Sequence, residues 1–391
     1  MTTIQREYSE TISQLRDTIE KLCTEYSGEY WREKDRNREY PTEFVTAVTE
    51  LGLLAALIPE QYGGSGLTIT AGVEILKAIH EFGGNAAACH AQMYTMGTVL
   101  QHGNEEQKQR YLPRIASGEI RLQAFAVTEP GAGSDTTSIT TTATRDGDVY
   151  RINGQKIWTS RAEHSDLMLL LARTTAKDEV KKRSDGLSVF LVDMQSAREN
   201  GMTIQPIRTM INHSTTQVFF DDVVVPVENL IGDEGKGFKY ILSGMNAERI
   251  LIAGECAGDA RWFISKARDY ACERHVFGRP IGQNQGIQFP IARAFVQAEA
   301  AEAILDKACT IFESGAASCG TYANMAKLLT SEASWAAAEA CMQTFGGFAF
   351  AEDYDIERKF REARLYLTAP ISTNLILSYI GEHELGMPRS Y

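Results

Sequence analysis

The sequence predicts an α+β protein of 391 residues, in which a helical region, a β region and a second helical region follow one another along the chain. Three observations carry this prediction. Apolar residues recur at helical spacing up to about residue 120, they alternate with polar residues from about 121 to 232, and long helical periods return from 233 onward. We therefore expect an N-terminal helical domain over 1–120, a middle antiparallel β-barrel or sandwich domain over 121–232, and a C-terminal four-helix-bundle domain over 233–391.

The N-terminal region shows helical periodicity in four stretches, 42–51, 70–80, 86–100 and 105–115. The segment 57–66 between the first two contains one proline and three glycines, which mark a loop. We expect a domain of short helices joined by such loops.

The middle region is rich in β-branched and aromatic residues that alternate with period two. The expected strands are 138–144, 148–152, 155–158, 167–172, 187–192, 203–206 and 217–225. Asn153-Gly154 separates two of these strands and predicts a two-residue hairpin of type I′.

The C-terminal region contains the longest helical periods, over 238–271, 287–314 and 321–344. Two shorter helices are expected over 356–367 and 372–381. Helices of this length and order are typical of a four-helix bundle.

Composition excludes several classes of function. Lysine and arginine number 39 against 51 acidic residues, which gives a net charge of -12, and the only basic cluster is Lys181-Lys182-Arg183. Nucleic-acid binding requires a basic face, so it is not expected. The seven histidines and seven cysteines show no HExxH or CxxC spacing, so no metal site is expected and the cysteines are interpreted as reduced.

The ends and apolar runs of the sequence bear on its location. The first residues include acids and lack the apolar core of a signal peptide, and no run approaches the roughly 18 apolar residues of a membrane span. We expect no membrane association and a cytoplasmic protein, or a mitochondrial-matrix one if a presequence has been removed.

A dinucleotide-binding Rossmann fold is not expected. The segment Gly131-Ala132-Gly133-Ser134-Asp135-Thr136 has the first two glycines of the GxGxxG fingerprint, but Thr136 replaces the third. The alternating βαβ pattern that this fingerprint requires is also missing from the sequence.

Five motifs must be considered together. They are 126–135 (Ala-Val-Thr-Glu-Pro-Gly-Ala-Gly-Ser-Asp), 153–160 (Asn-Gly-Gln-Lys-Ile-Trp-Thr-Ser), 274–281 with Gln285 (Arg-His-Val-Phe-Gly-Arg-Pro-Ile), 343–347 (Gln-Thr-Phe-Gly-Gly) and 354–363 (Tyr-Asp-Ile-Glu-Arg through Arg-Glu-Ala). In this order, and with helices on both sides of a β region, the chain resembles the acyl-CoA dehydrogenase superfamily of flavoenzymes over nearly its whole length.

The resemblance implies an enzyme that carries one FAD per subunit in a homotetramer. It implies α,β-desaturation of an acyl-CoA thioester, with an electron-transferring flavoprotein as the electron acceptor. In such enzymes the flavin performs the redox step, and the protein positions and polarises the substrate.

The resemblance also assigns cofactor-binding residues. Those matched to the flavin ring and its surroundings are Phe125, Val127, Thr128, Gly133, Ser134, Trp158, Thr159 and Ser160. Those matched to the rest of FAD, including contacts that reach a neighbouring subunit, are Arg274, Phe277, Gln285, Gln343, Gly346, Gly347, Ser372 and Asn374. Glycines allow close approach of the main chain, and an arginine offers a donor fork to a diphosphate.

The sequence departs from the family at the catalytic base. Most members take the base from a glutamate after the arginine-rich helix, where this chain has Pro370, which has neither a carboxylate nor an N–H. A branch that includes isovaleryl-CoA and long-chain enzymes takes the base from a helix of the C-terminal domain, directly before an arginine. Glu248, directly before Arg249, matches that position, so Glu248 is our predicted catalytic base.

Substrate residues follow from the same match. Arg249, Asn246, Met245 and Ser134 are assigned to the thioester. Ala86, His90 and Tyr94 are spaced to share one helix face and are assigned to the acyl pocket, where they favour a short, branched, cyclic or polar acyl group. Packing of His90 and Tyr94 against a neighbouring helix is an equally good interpretation.

Two other functions remain open at the level of sequence. One is an oxidase or monooxygenase that acts on an acyl thioester with the same scaffold, because Pro370 removes an N–H from the expected thioester site. The other is a catalytically silent flavoprotein that binds acyl thioesters. The thioester carrier, CoA or a carrier protein, is also left open.

Overall fold

A computed structural model of the chain describes residues 3–390, with side chains from Glu10 onward. The helices are α1 Thr3–Glu25, α2 Gly28–Asn37, α3 Thr42–Glu50, α4 Ile69–Glu81, α5 Ala87–His102, α6 Glu105–Ala116, α7 Met194–Glu199, α8 Gly237–Glu273, α9 Gln285–Glu313, α10 Cys319–Phe345, α11 Ile356–Leu365 and α12 Thr373–His383. The helices expected from periodicity are confirmed, with ends shifted by a few residues.

The strands lie in the middle of the chain, apart from one short hairpin. They are β1 Leu122–Ala126, β2 Thr142–Asp146, β3 Val149–Ser160, β4 Leu167–Arg173, β5 Leu187–Asp193, β6 Met202–Pro206, β7 Thr215–Pro226, β8 Leu230–Ile231, and the hairpin strands β9 His275–Val276 and β10 Arg279–Pro280. The α+β class is therefore confirmed.

The chain folds into two compact units that interleave along the sequence. The helical unit contains the segment up to Asn37, the segment Thr68–Ala86 and everything from Asn246 onward. The β-rich unit contains Arg38–Leu67 and Ala87–Met245. The expected domain boundaries near 120 and 232 stay a prediction.

The sheet of the β-rich unit is mixed, although an antiparallel one was expected. Its hydrogen-bonded order is β6-β7-β3-β2-β4-β5-β8, and β1 pairs in parallel with β4. Among the described strands this path does not close, so the predicted barrel is not confirmed. The two central strands β4 and β5 are apolar and almost fully buried, which accounts for their position inside the sheet.

The predicted hairpin at Asn153-Gly154 is wrong. β3 runs without a break from Val149 to Ser160, and the turn between β2 and β3 is formed by Gly147, with a φ of 62°. Gly154 marks a bulge instead, because a Cβ at this position would lie 2.5 Å from the Thr141 hydroxyl oxygen on the chain leading into β2. Asn153-Gly154 has the residue types of a hairpin turn, but here the glycine is required because β3 and the chain leading into β2 approach closely at this position.

Small side chains let the long helices of the helical unit pack closely. Alanines of α8, α9 and α10 meet in one core together with larger apolar residues; they are Ala260, Ala267, Ala294, Ala298, Ala337 and Ala338. Among residues 3–390, no helix is both long and apolar enough to cross a lipid bilayer.

A buried charged network links α4, α8 and α11 within the helical unit. His80 accepts a hydrogen bond from the Ala86 N–H at Nε2, so Nδ1 carries the proton and donates to Asp259 at 2.9 Å. Asp259 also pairs with Lys359, whose ammonium donates to the Gly84 carbonyl oxygen at 3.1 Å. Since all three side chains are fully buried, each charge depends on its partners.

Candidate active site

The main chain that leaves β1 forms the first part of the candidate flavin surface. Phe125, Val127 and Thr128 are half-buried there. The Thr128 carbonyl oxygen accepts a hydrogen bond from the Ile157 N–H at 2.9 Å, and the Val127 carbonyl oxygen accepts one from the Lys156 ammonium at 2.9 Å. Strand β3 therefore fixes the conformation of this exit.

The small-residue loop follows directly. Glu129 and Ala132 form two main-chain hydrogen bonds with each other, which close a tight turn. Gly131, Gly133 and Ser134 are exposed, and a Cβ added to either glycine would meet no atom within 4 Å. The loop thus offers open main chain that a phosphate or thioester group can approach.

A bulge in β3 turns Trp158 outward. Its φ of 61° is in the left-handed region, which is uncommon for a bulky residue, and 57 % of its surface is exposed. Thr159 is fully buried, whereas Ser160 is half-buried. Of the three predicted residues, Trp158 and Ser160 therefore keep side-chain surface for a ligand.

These features fit the flavin of FAD. An exposed aromatic face, a half-buried hydroxyl on Ser160 and the strand exit at Val127 and Thr128 offer stacking and polar contacts to a heteroaromatic ring. They lie together on β1, β3 and the intervening loop of the β-rich unit.

The candidate acyl-pocket residues are only partly arranged as expected. His90 and Tyr94 lie on α5, are nearly fully buried, and stack with ring centroids 5.5 Å apart. Tyr94 also meets Phe125 edge to face at 5.4 Å. Ala86 precedes the first residue of α5, and its N–H is bonded to His80, so the shared helix face applies to His90 and Tyr94 alone.

The candidate base lies on α8 in the helical unit. Glu248 is 5 % exposed and Arg249 is 8 % exposed, so they are not a surface ion pair. The Arg249 guanidinium donates to Asn324 at 2.7 Å and to Asn246 at 2.6 Å. Burial lowers the pKa of Arg249, while the negative charge of Glu248 acts in the opposite direction. Met245 is half-buried and is the last residue of the β-rich unit, directly before the segment of the helical unit that begins at Asn246.

The segment after α11, where most of the family has its base, is held by a buried lysine. Lys327 on α10 is fully buried and donates to the Ile371 carbonyl oxygen at 3.0 Å. Burial lowers the pKa of Lys327 to about 8. The Ser372 hydroxyl accepts from the Leu375 N–H and so caps α12, while Asn374 is exposed.

The residues assigned to the far end of FAD are exposed on the helical unit. Arg274, Gln285, Gln343, Gly346 and Gly347 are all open to solvent, and Phe277 is fully exposed in the β9–β10 hairpin. The Arg274 guanidinium lies over the ring of Phe348, 5.7 Å from its centroid. Arg274 is therefore close to the two glycines that precede Phe348.

Sequence reasoning assigned no role to Glu129 or Lys156, although both lie in the motifs. Lys156 is fully buried and its ammonium is 2.9 Å from the Glu129 carboxylate. The signal was present, because Lys156 occupies the same side of β3 as the buried Tyr150 and Ile152. A lysine at an inward position of a strand requires a buried partner.

Comparisons with known proteins agree along the whole chain. The family models for the acyl-CoA dehydrogenase N-terminal, middle and C-terminal domains match residues 9–119, 124–223 and 235–373. The acyl-CoA dehydrogenase fadE12 of Mycobacterium bovis is 34% identical, and the match covers 98% of each chain. The cyclohex-1-ene-1-carbonyl-CoA dehydrogenase of Syntrophus aciditrophicus is 32% identical over 91% of this chain and 88% of its own.

A solved structure of glutaryl-coenzyme A dehydrogenase in complex with glutaryl-CoA superposes with a TM-score of 0.89. It is 28% identical, and the match covers 97% of this chain and 96% of that one. The match to three consecutive family models and to relatives of nearly equal length establishes the three-domain fold, with helical first and last domains and a β domain between them. This chain therefore belongs to the acyl-CoA dehydrogenase family and is an FAD-dependent oxidoreductase.

Proposed function

We propose that this enzyme desaturates an acyl-CoA thioester between Cα and Cβ, with Glu248 as the base that removes the Cα proton. The observation that carries the proposal is the burial of Glu248 on α8, directly before the anchored Arg249, in a chain that has Pro370 at the other known base position. A buried carboxylate next to a fixed arginine is suited to holding a proton at a defined place.

Each group has a defined part in the reaction. The Glu248 carboxylate takes the Cα proton, and the C–H electron pair becomes the new Cα–Cβ double bond as the hydride leaves Cβ. Bound FAD supplies the oxidant that accepts this hydride. Arg249 is held by Asn246 and Asn324, so its charge stays fixed beside the base during the transfer.

The proposal also covers the contacts of the cofactor and the assembly. Phe125, Val127, Thr128, Trp158 and Ser160 hold the flavin ring, and the open loop at Gly133 and Ser134 receives a phosphate or the thioester. The exposed residues from Arg274 to Asn374 named above contact the rest of FAD in a homotetramer. An electron-transferring flavoprotein reoxidises the enzyme.

The proposed acyl group is short, branched, cyclic or polar. Tyr94 is nearly fully buried, and its ring contacts the rings of His90 and Phe125, so in the proposed pocket it is a bulky wall with one polar neighbour. The Syntrophus relative is named for a cyclic acyl-CoA, which is consistent with this class.

Replacing the base tests the mechanism. Glu248→Gln keeps the volume of the side chain and removes its basicity. We expect FAD content and thioester affinity to stay near wild type, while anaerobic flavin bleaching in stopped flow slows by about 10²-fold or more.

Glu255→Gln is the matched control, because Glu255 is a second fully buried glutamate of α8, two turns further on. Its carboxylate accepts a hydrogen bond from Tyr366 at 2.8 Å, so its loss should lower stability and leave the bleaching rate largely intact. Wild-type bleaching in Glu248→Gln would exclude Glu248 as the base. Reoxidation that is faster with oxygen than with a flavoprotein acceptor would favour the oxidase alternative.

A further inference from the structure

The buried pair Lys156–Glu129 joins the two segments of the β-rich unit that carry the residues we assign to the flavin, namely the exit of β1 with its loop and the end of β3. We propose that this pair is a positioning device: it fixes the peptide group between Val127 and Thr128, and with it the small-residue loop and Trp158, in the geometry that binds the flavin. The inference rests on the proposed placement of the flavin but not on the identity of the base.

Lys156 holds the peptide group between Val127 and Thr128 by its carbonyl oxygen. The Lys156 ammonium donates to the Val127 carbonyl oxygen at 2.9 Å. Because a trans peptide is planar, the Thr128 N–H on the same group points to the opposite side, away from Lys156. A cation at the carbonyl oxygen polarises the peptide and makes that N–H a stronger donor. Lys156 therefore sets both the direction and the strength of a donor at the flavin surface.

The Glu129 carboxylate binds both Lys156 and the chain that enters β2. One carboxylate oxygen accepts from the Lys156 ammonium and from the Thr141 N–H at 2.9 Å each. The other accepts from the N–H and hydroxyl of Thr140, at 2.7 and 2.8 Å. The main chain of Glu129 closes the turn with Ala132 that presents Gly133. One carboxylate thus holds the loop to the chain that enters β2.

The pair is linked to Trp158 through the main chain of β3. Lys156 is the last inward residue of β3 before the bulge, and Ile157, between it and Trp158, donates to the Thr128 carbonyl oxygen. The Lys156 side chain is anchored inside, and the Ile157 N–H is bonded to the exit of β1. The main chain directly before Trp158 is therefore fixed, and this supports the left-handed conformation of Trp158. The outward direction of the indole follows from it.

The cost of the pair supports a role in positioning. Burial lowers the pKa of Lys156 to about 8, although the charge of Glu129 opposes this shift. A buried ion pair is poor as a source of stability, because apolar residues of similar volume often serve as well. What an apolar pair would lack are the directed bonds to Val127, Thr140 and Thr141.

The test measures FAD binding without acyl-CoA. We compare Lys156→Gln and Glu129→Gln with Arg151→Gln, which removes two exposed ion pairs, with Asp146 and Asp222, on the same strand. The dissociation constant of FAD is measured on each apoprotein from the quenching of FAD fluorescence. Amide hydrogen exchange at Ile157, Thr140 and Thr141 is followed in the same samples.

We expect FAD affinity to fall about ten-fold or more in both pair variants, since each loses charge-assisted hydrogen bonds, and to change less than about two-fold in Arg151→Gln. Exchange at the three amides should accelerate in the pair variants before FAD is added. Folded variants with wild-type FAD affinity would overturn the proposal, even if their thermal stability were lower.

If Lys156→Gln does not fold, Lys156→Arg replaces it, because it keeps the charge but displaces the contact with Val127. If neither Lys156→Gln nor Lys156→Arg folds, the proposal is also overturned, because the pair would then be required for folding and not for positioning the flavin site. A wild-type apoprotein that binds no FAD would refute the proposed cofactor placement and, with it, this inference. The Glu248→Gln experiment is independent of all these outcomes.

Discussion

Tyr94 is the residue on which the proposed substrate class depends most directly. It is 6 % exposed, and its ring is in contact with those of His90 and Phe125. In the proposed pocket, this large aromatic side chain occupies space that a longer acyl chain would need. The chemistry of the reaction does not require this residue, so it can be varied on its own.

Tyr94→Ala should shift kcat/KM toward longer thioesters. Each methylene buried in the new space contributes at most about 0.8 kcal/mol, or about four-fold. Chain-length profiles from butanoyl- to decanoyl-CoA provide the measurement. Tyr111→Ala is the control, because Tyr111 is equally buried on α6 but lies outside the predicted site. The same profile in Tyr94→Ala and wild type would show that His90 and Tyr94 only pack the helix.

At the level of single residues, the sequence predicted the types of groups better than their surroundings. Glu248 could be selected because the family resemblance offers two positions for the base, and Pro370, which stands at one of them, has no carboxylate. The burial of Thr159 could not be predicted, because the bulge at Trp158 reverses the alternation of β3. The partners of Lys156 come from segments separated in sequence, and no local pattern identifies them.

The segment between α11 and α12 is bonded to α10 through the buried side chain of Lys327. Its hydrogen bond to the Ile371 carbonyl oxygen joins α10 to the segment that contains Pro370. Burial disfavours the charged form of Lys327. A substitution that removes this charge therefore regains the cost of burying it, which offsets part of the stability lost with the hydrogen bond.

Lys327→Met should therefore loosen this segment with little change in the free energy of unfolding. We expect faster amide exchange over residues 371–376, measured by mass spectrometry, and a urea midpoint close to that of wild type. Lys307→Met, at an exposed position on α9, should leave that exchange unchanged. Equal protection of the segment in wild type and Lys327→Met would show that Lys327 does not hold it.

Helices in which apolar residues repeat regularly over many turns were predicted well. Features that depend on contacts between distant parts of the sequence were not. The long helices α8, α9 and α10 repeat their apolar residues over many turns, so their extents agreed with the prediction. The hairpin at Asn153-Gly154 failed because two different structures, a turn and a bulge, require the same residue types. The parallel pairing of β1 with β4 depends on residues 45 positions apart, as at Leu122 and Leu167, and periodicity carries no such information.

Across the whole molecule, buried carboxylates with lowered pKa values contribute to the response to acid. Burial acts to raise the pKa of Glu129, but Lys156 and the bonds from Thr141 and Thr140 prevail and lower it to about 2. The pKa of Asp259 is also lowered, because Lys359 and His80 outweigh the effect of burial. One group lies in each unit.

The sign of the pH dependence follows from these shifts. Both folded-state pKa values are below those of the unfolded chain, about 4.3 for Glu and 3.9 for Asp. The folded state binds fewer protons in this range, so their contribution to stability is complete above about pH 4.5 and is lost as the pH falls toward about 2.

We therefore expect the thermal midpoint of the FAD-free protein to be steady from pH 7 to 5 and to decrease steeply below about pH 4. Differential scanning calorimetry in buffers of constant ionic strength measures it. In Glu129→Gln the decrease should be shallower, because one of the two groups no longer titrates. A midpoint at pH 3 equal to that at pH 6 would contradict the assignment of these two carboxylates.

The interleaving of the two units has a consequence for synthesis on the ribosome. The β-rich unit is complete once Met245 has emerged, whereas the helical unit needs the 146 residues that follow. At about 5–20 residues per second, synthesis of these 146 residues takes roughly 7 to 30 s, and α1 and α4 are without the rest of their unit for at least that time. During that interval the apolar side chains of Ile75, Leu76 and Ile79, buried in the finished protein, have no completed unit to cover them. The nascent chain therefore exposes to chaperones a hydrophobic surface that the finished enzyme does not have.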